Sequence, residues 1–141
     1  MIYTGKVKLA CHIMFETHKD DKDKGGYPYV FHPFYLATQM DDEESTCVAL
    51  LHDVIEDHRD LYSIDDLEKL GFGDKIIEAI RLLTHSKDVP YLDYIAKIKN
   101  NSIAKKVKIA DLKHNLDSTR LGGTLSPKSD IYSIALKLLE N

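Results

Sequence analysis

One segment limits the fold of this chain more than any other: Ala49-Leu-Leu-His-Asp-Val-Ile-Glu-Asp57, an apolar run that carries an imidazole and three carboxylates within six residues. Burying such charges without partners costs several kcal/mol per ion. A divalent metal neutralises them most simply, provided that other parts of the chain supply further ligands.

The chain has 141 residues, which is the size of one domain, and a single domain over residues 1–141 is expected. Apolar residues make up 43% and charged residues 30%, an ordinary globular composition. The net charge of −4 argues against the basic footprint of a nucleic-acid binder. No apolar run approaches the roughly 18 residues of a membrane span, and the start Met-Ile-Tyr-Thr-Gly-Lys lacks the apolar core of a signal peptide. Cys11 and Cys47 show no metal-ligand spacing and read as buried free thiols. A cytoplasmic protein without nucleic-acid or membrane partners is expected.

Strand signals are poor and helical ones plentiful. Helices are predicted over 5–18, from Pro33 to Met40, from the acidic stretch Asp41–Ser45 to about Asp57, and from Ser63 to Gly71. Others follow over 74–84, from Pro90, from a Ser102 cap to about Asp117, and from Ser126-Pro127, the last with Ile131, Ile134, Ala135, Leu138 and Leu139 inward. Polar residues 19–28 read as a loop. The expected class is all-α, a bundle of about eight helices.

Seven histidines are many for this length. His52 and Asp53 point about 100° apart on a helix and converge on one ion only where the helix faces a cleft. His32 lies at a helix edge set by Pro33, and Asp111 lies inside an apolar helical stretch where an unpaired carboxylate is costly. Taken singly, His52, His32 and Asp111 also fit structural roles. Together His32, His52, Asp53 and Asp111 offer two imidazoles and two carboxylates. That set suits Mn²⁺, Fe²⁺ or Zn²⁺ better than Ca²⁺, and the lack of cysteine ligands disfavours a closed structural zinc site.

Four stretches resemble a known family. Residues 18–33, HKDDKDKGGYPYVFHP, resemble H…RKxGxPYxxHP; 49–57, ALLHDVIED, resembles AALLHDVVED; Phe72-Gly73 falls at an FG pair and Leu83-Thr84 near VTK; 107–115, VKIADLKHN, resembles VKLADRLHN. These are motifs of the HD-domain superfamily of metal-dependent phosphohydrolases, in the RelA/SpoT-homologue branch of alarmone (p)ppGpp hydrolases and their small single-domain relatives. The resemblance spans most of residues 5–120. It implies an HD helical bundle, a divalent metal (Mn²⁺ foremost) on His32, His52, Asp53 and Asp111, and Glu56 and Asp57 as the catalytic carboxylates. It also places Asn115 and Lys24 near a nucleotide substrate.

The chain departs from the family at Asp23, where an arginine precedes the lysine, and at His85, where a lysine follows Val-Thr. Lys108 and Arg120 are further substrate-contact candidates; a solvated helix face and an exposed ion pair are the competing readings. Tyr132 has the position to close over a nucleotide, and Tyr91 and Tyr94 read as core or as base-stacking rings. The expected activity is that of a guanosine-3′,5′-bis(diphosphate) 3′-diphosphatase. The alternatives are an HD phosphohydrolase acting on another nucleotide, such as NADPH or a nucleoside phosphate, and a non-catalytic nucleotide-binding HD module.

Overall fold

The computed structural model describes residues 1–123 and 125–141, with Leu121 described in its backbone alone. Among the described residues the regular structure is entirely helical: α1 (Gly5–His18), α2 (Phe31–Thr38), α3 (Glu43–Leu51), α4 (Val54–Asp57), α5 (Ile64–Lys69), α6 (Asp74–Leu83), α7 (Tyr91–Ile98), α8 (Ser102–Asn115), a 3₁₀ turn (Ser118–Leu121) and α9 (Ser129–Glu140). The eight predicted helices correspond to these nine because the third is broken into α3 and α4.

Local chemistry sets most boundaries. Thr4 caps α1 by accepting from the Val7 amide, and Asp42 caps α3 by accepting from Ser45. Ser63 and Asp66 form a reciprocal capping box for α5. Gly73, with φ of +93°, makes the left-handed turn into α6. Two predicted starts shift: Asn101, not Ser102, caps α8, because its longer side chain reaches the Ala104 amide. Ser126 instead accepts from the Lys128 amide in a turn, so α9 begins at Ser129.

Helix α3 is the axis of the bundle and packs against α1, α2, α6 and α8. Every residue from Ser45 to Leu51 is buried, as expected of a helix surrounded on all sides. Its neighbours contribute Ile13, Leu36, Ile76, Ile80 and Leu112 to one continuous core. Helix α9 packs chiefly along α8 and α7. It therefore buries a narrow stripe of Ala135 and Leu139, while Ile134 and Leu138, expected inward, remain 50% and 42% exposed. Cys47 is buried as expected but Cys11 is only half-buried, and both are free thiols.

The break between α3 and α4 positions the site. Asp53 adopts φ −106°, ψ 0°, in the bridge region between helix and extended backbone. A regular helix would splay His52 and Asp53 apart; the break lets both side chains turn into the same cleft.

Candidate active site

The cleft lies between the α3–α4 break, the start of α2, the cleft-facing side of α8 and the edges of α7 and α9. Its volume is about 610 Å³, and Tyr29, His32, Asp53, Glu56, Asp57, His85, Tyr91, Lys108, Asp111, Asn115 and Tyr132 are among the residues lining it. That size accommodates a nucleotide-sized ligand.

Histidine nitrogens and carboxylate oxygens from three helical segments meet at the floor. His52 Nδ1 donates to the Ala49 carbonyl at 2.7 Å, which turns Nε2 toward the cleft. That Nε2 is buried without a hydrogen-bond partner, and it lies 3.1 Å from Asp53 Oδ2 and 3.7 Å from Asp111 Oδ1. His32 Nε2 stands 2.8 Å from the same Asp111 oxygen. Donor atoms of His32, His52 and Asp53 fall within 4.8 Å of one another. Adjacent ligands of an octahedral ion with bonds near 2.1 Å stand about 3 Å apart, so His32, His52 and Asp53 are spaced to hold a divalent cation, with Asp111 Oδ1 within 3.7 Å of both imidazoles. His52 Nε2 thus has carboxylates nearby but no well-formed hydrogen bond, and such an ion would satisfy it.

A surrounding layer of side chains orients these groups, as metal sites require. His32 Nδ1 meets His114 Nδ1 at 2.7 Å; the rings are parallel within 2°, and Tyr35 stacks on His114 with centroids 4.3 Å apart. Burial, then the neighbouring His32 and Arg120, push the His114 pKa down to about 4, so it stands neutral beside His32 Nδ1. The Tyr29 hydroxyl donates to Asp53. Asp111 Oδ2 takes Lys108 Nζ at 2.9 Å, while Oδ1 also accepts from Asn115 Nδ2 at 3.1 Å. Burial works against the charge on Asp111, but Lys108 and the two histidines outweigh it and hold the carboxyl well below the usual range. Burial likewise opposes the His52 imidazolium, yet Asp53 and Asp111 hold it protonated in the metal-free protein.

Glu56 and Asp57 sit one turn beyond the ligands and keep solvent contact at the cleft edge. Glu56 Oε1 accepts from the His85 amide at 2.6 Å. Crowding by protein, then the charges of Asp53 and Glu56, push the Asp57 pKa up to about 7; Glu56 is raised chiefly by burial. Asp57 is thus set up to take up a proton near neutrality, and Glu56 is shifted in the same direction.

The substrate-contact candidates divide. Lys24, Asn115 and Tyr132 line both the cleft and an adjoining recess of about 210 Å³, and Arg120 lines that recess. Arg120 Nη1 donates to Asn115 Oδ1 at 2.6 Å, and its Nε stands 4.0 Å from Asp23. Asp23 is no free repulsive charge: Oδ1 accepts from the Gly25 and Tyr27 amides at 2.9 Å each and so caps the loop. Lys108 is in the cleft but is committed to Asp111 and lies over the Tyr91 and Tyr94 rings. Lys106, on the same helix, pairs with Asp41 and Asp42 instead of lining the cleft. Tyr94 is core-like and donates to the Leu83 carbonyl at 2.8 Å, while Tyr91 is half-buried at the cleft wall. The supporting roles of Tyr29, His85 and His114 are absent from the sequence reading; the KHN end of the 107–115 motif was the one available signal for His114.

An all-α bundle that brings a lone histidine, an adjacent His-Asp pair at a helix break and a distant aspartate into one cleft defines an HD-domain hydrolase. No family model matches the chain. The guanosine-3′,5′-bis(diphosphate) 3′-pyrophosphohydrolase MESH1 of Drosophila melanogaster is 31% identical over 135 residues, covering 85% of this chain and 74% of the fly protein. The enzyme of the same name from Aquifex aeolicus is 29% identical over 90 residues, and the bifunctional (p)ppGpp synthase/hydrolase SpoT of Escherichia coli 28% over 138 residues. The match spans only 12% and 19% of those two longer proteins. A solved structure of a metazoan SpoT orthologue that hydrolyses ppGpp superposes with a TM-score of 0.73 at 26% identity, covering 99% of this chain and 85% of that one. The chain belongs to the guanosine-3′,5′-bis(diphosphate) 3′-pyrophosphohydrolase family.

Proposed function

We propose that the chain is a single-domain, Mn²⁺-dependent (p)ppGpp 3′-pyrophosphohydrolase. The observation that carries this reading is the buried, unpartnered His52 Nε2, which faces Asp53, His32 and Asp111 at the floor of a nucleotide-sized cleft. The fly relative, named for the same reaction, supports the substrate.

His32, His52, Asp53 and Asp111 would hold the ion. When bound, a divalent cation there supplies Lewis acidity toward a phosphoryl oxygen and lowers the pKa of water. Glu56 and Asp57 orient the attacking water and accept its proton. The water oxygen bonds to the phosphorus attached at the ribose 3′ oxygen; the P–O3′ bond breaks; the products are pyrophosphate and a free 3′-hydroxyl. Lys24 and Arg120 offer positive charge to the phosphates, Asn115 contacts the nucleotide, and Tyr132 covers it from α9. Arg120, recruited by Asp23 and Asn115, brings a guanidinium to the loop where the family carries its arginine. Lys108 acts through Asp111 as a positioning residue. Two free thiols suit a reducing compartment such as the cytoplasm.

The test is a product screen with Mn²⁺ across (p)ppGpp, NADPH and ordinary nucleotides. GDP and pyrophosphate from ppGpp is the expected outcome. Turnover of other nucleotides with none of (p)ppGpp removes the alarmone substrate and keeps the hydrolase; no turnover of any nucleotide by metal-loaded protein favours a binding module.

A further inference from the structure

A second group of metal-ligating side chains lies against the other side of Tyr29 and plays no part in the mechanism above. His18 is the last residue of α1, Asp21 follows in the loop, and His58 is the residue at which α4 ends. Asp21 Oδ2 lies 2.9 Å from His18 Nδ1 and 2.6 Å from His58 Nε2. One donor atom from each residue falls within 4.8 Å of the others, and the group shares no member with His32, His52 and Asp53. The His18 and His58 rings meet edge to face at 76°, so both imidazoles converge on the carboxylate instead of stacking. Among the described residues, these two imidazoles are the sole ion-pair partners of Asp21.

His18 Nδ1 and His58 Nε2 both face Asp21 Oδ2 at hydrogen-bond distance, and a cation would take the place of the protons that hold these contacts. Burial lowers the His18 pKa and keeps the ring neutral against the pull of Asp21. Burial works against the charge on Asp21, but hydrogen bonds from the two imidazoles outweigh it and hold the carboxyl below its usual value. His18 is fully buried, whereas the side chains of Asp21 and His58 keep 31% and 25% of their exposure, so an ion has a route from solvent. Ligands of a tetrahedral or octahedral ion stand about 3.0–3.4 Å apart, so the two contacts of Asp21 Oδ2 would open by less than about 1 Å to seat one.

We propose that His18, Asp21 and His58 form a second transition-metal site, of the Zn²⁺ class, separate from the ion site in the cleft. Two imidazoles and a carboxylate suit Zn²⁺, Co²⁺ or Ni²⁺ rather than Mg²⁺ or Ca²⁺, and three protein ligands leave a position for water. The ion ties the end of α1 to the residue that follows Asp57. It also braces Tyr29, whose ring is 4.8 Å from that of His18 and whose hydroxyl donates to Asp53. Its role is therefore to position a catalytic carboxylate and a metal-ligand partner from behind.

The test is metal stoichiometry on the whole chain, stripped with chelator, loaded with Zn²⁺ and desalted. Wild-type protein is expected to retain about two Zn²⁺ per chain, His58→Ala and Asp53→Ala about one each, and the double variant none. A zinc-edge anomalous map of wild-type crystals supplies a readout independent of any variant's folding, with a peak expected among His18 Nδ1, Asp21 Oδ2 and His58 Nε2. Equal zinc content in wild type and His58→Ala, or a map without that peak, overturns the proposal and leaves these residues a hydrogen-bonded clamp.

Discussion

His114 touches no candidate ligand oxygen, yet it fixes His32. The 2.7 Å contact between their Nδ1 atoms commits that nitrogen of His32 and leaves Nε2 for the ion. His114→Ala is expected to weaken divalent-metal affinity by about 10- to 100-fold, the usual cost of removing an orienting partner. Titration calorimetry checks it, and an unchanged Kd would show that His32 is held by packing alone. Glu56 lies past the ligands and is anchored by the His85 amide, so its removal separates chemistry from metal binding. Glu56→Gln is expected to bind the ion normally and lose turnover roughly a hundredfold or more; unchanged kcat would remove it from the mechanism. At this scale the four candidate ligands could be singled out in the sequence because His52, Asp53 and Asp111 are costly residue types in apolar stretches and the family motifs join His32 to them. His114, His85 and Tyr29 were not, because an orienting side chain differs from a core aromatic only by contacts that come from distant elements.

Helix α8 shows what an element adds. Lys108, Asp111 and Asn115 recur at helical spacing and share the face turned to the cleft, where Lys108 and Asn115 occupy opposite oxygens of Asp111. The Lys108 and Asp111 side chains keep 12% and 7% of their exposure, so breaking the pair leaves a buried carboxylate undercompensated. Lys108→Met is expected to cost about 3 kcal/mol of stability in the metal-free protein, read by denaturant unfolding, with added divalent cation restoring part of it. A variant as stable as wild type would show that the two histidines alone balance Asp111. The helices were legible from apolar periodicity, caps and prolines. The break between α3 and α4 was not, since Ala49–Asp57 reads as one continuous helical pattern. What ends the helix shows only in the fold: at the break, two neighbouring side chains that a regular helix would splay both turn into one cleft. The outward turn of Ile134 and Leu138 is tertiary as well, because periodicity marks an apolar face without saying how wide a surface awaits it.

Across the whole molecule, folding, protonation and metal binding are one linked equilibrium. Asp53 and Asp111 raise the His52 pKa well above its ordinary 6.5 in the metal-free fold, against the opposing effect of burial. A raised folded pKa means that this contribution to stability is fully present below about 6.5 and is lost as pH rises through the folded value. A cation replaces that proton, so metal affinity must rise with pH. Mn²⁺ titrated into weakly buffered protein at pH 7 is expected to release about one proton from His52, and a further fraction from Asp57, whose carboxyl is pushed up to about 7. Metal binding without proton release would contradict the charge assignment.

The ligands, the carboxylate pair and the flanking cleft are the central claim together, and ppGpp hydrolysis interrogates all of them. The most direct measurement is chromatography of ppGpp incubated with Mn²⁺-loaded wild-type protein and with Asp53→Ala. GDP and pyrophosphate are expected from the wild type and intact ppGpp from the variant. Intact ppGpp in the presence of wild-type protein with its ion bound, or equal hydrolysis by both proteins, would contradict that claim.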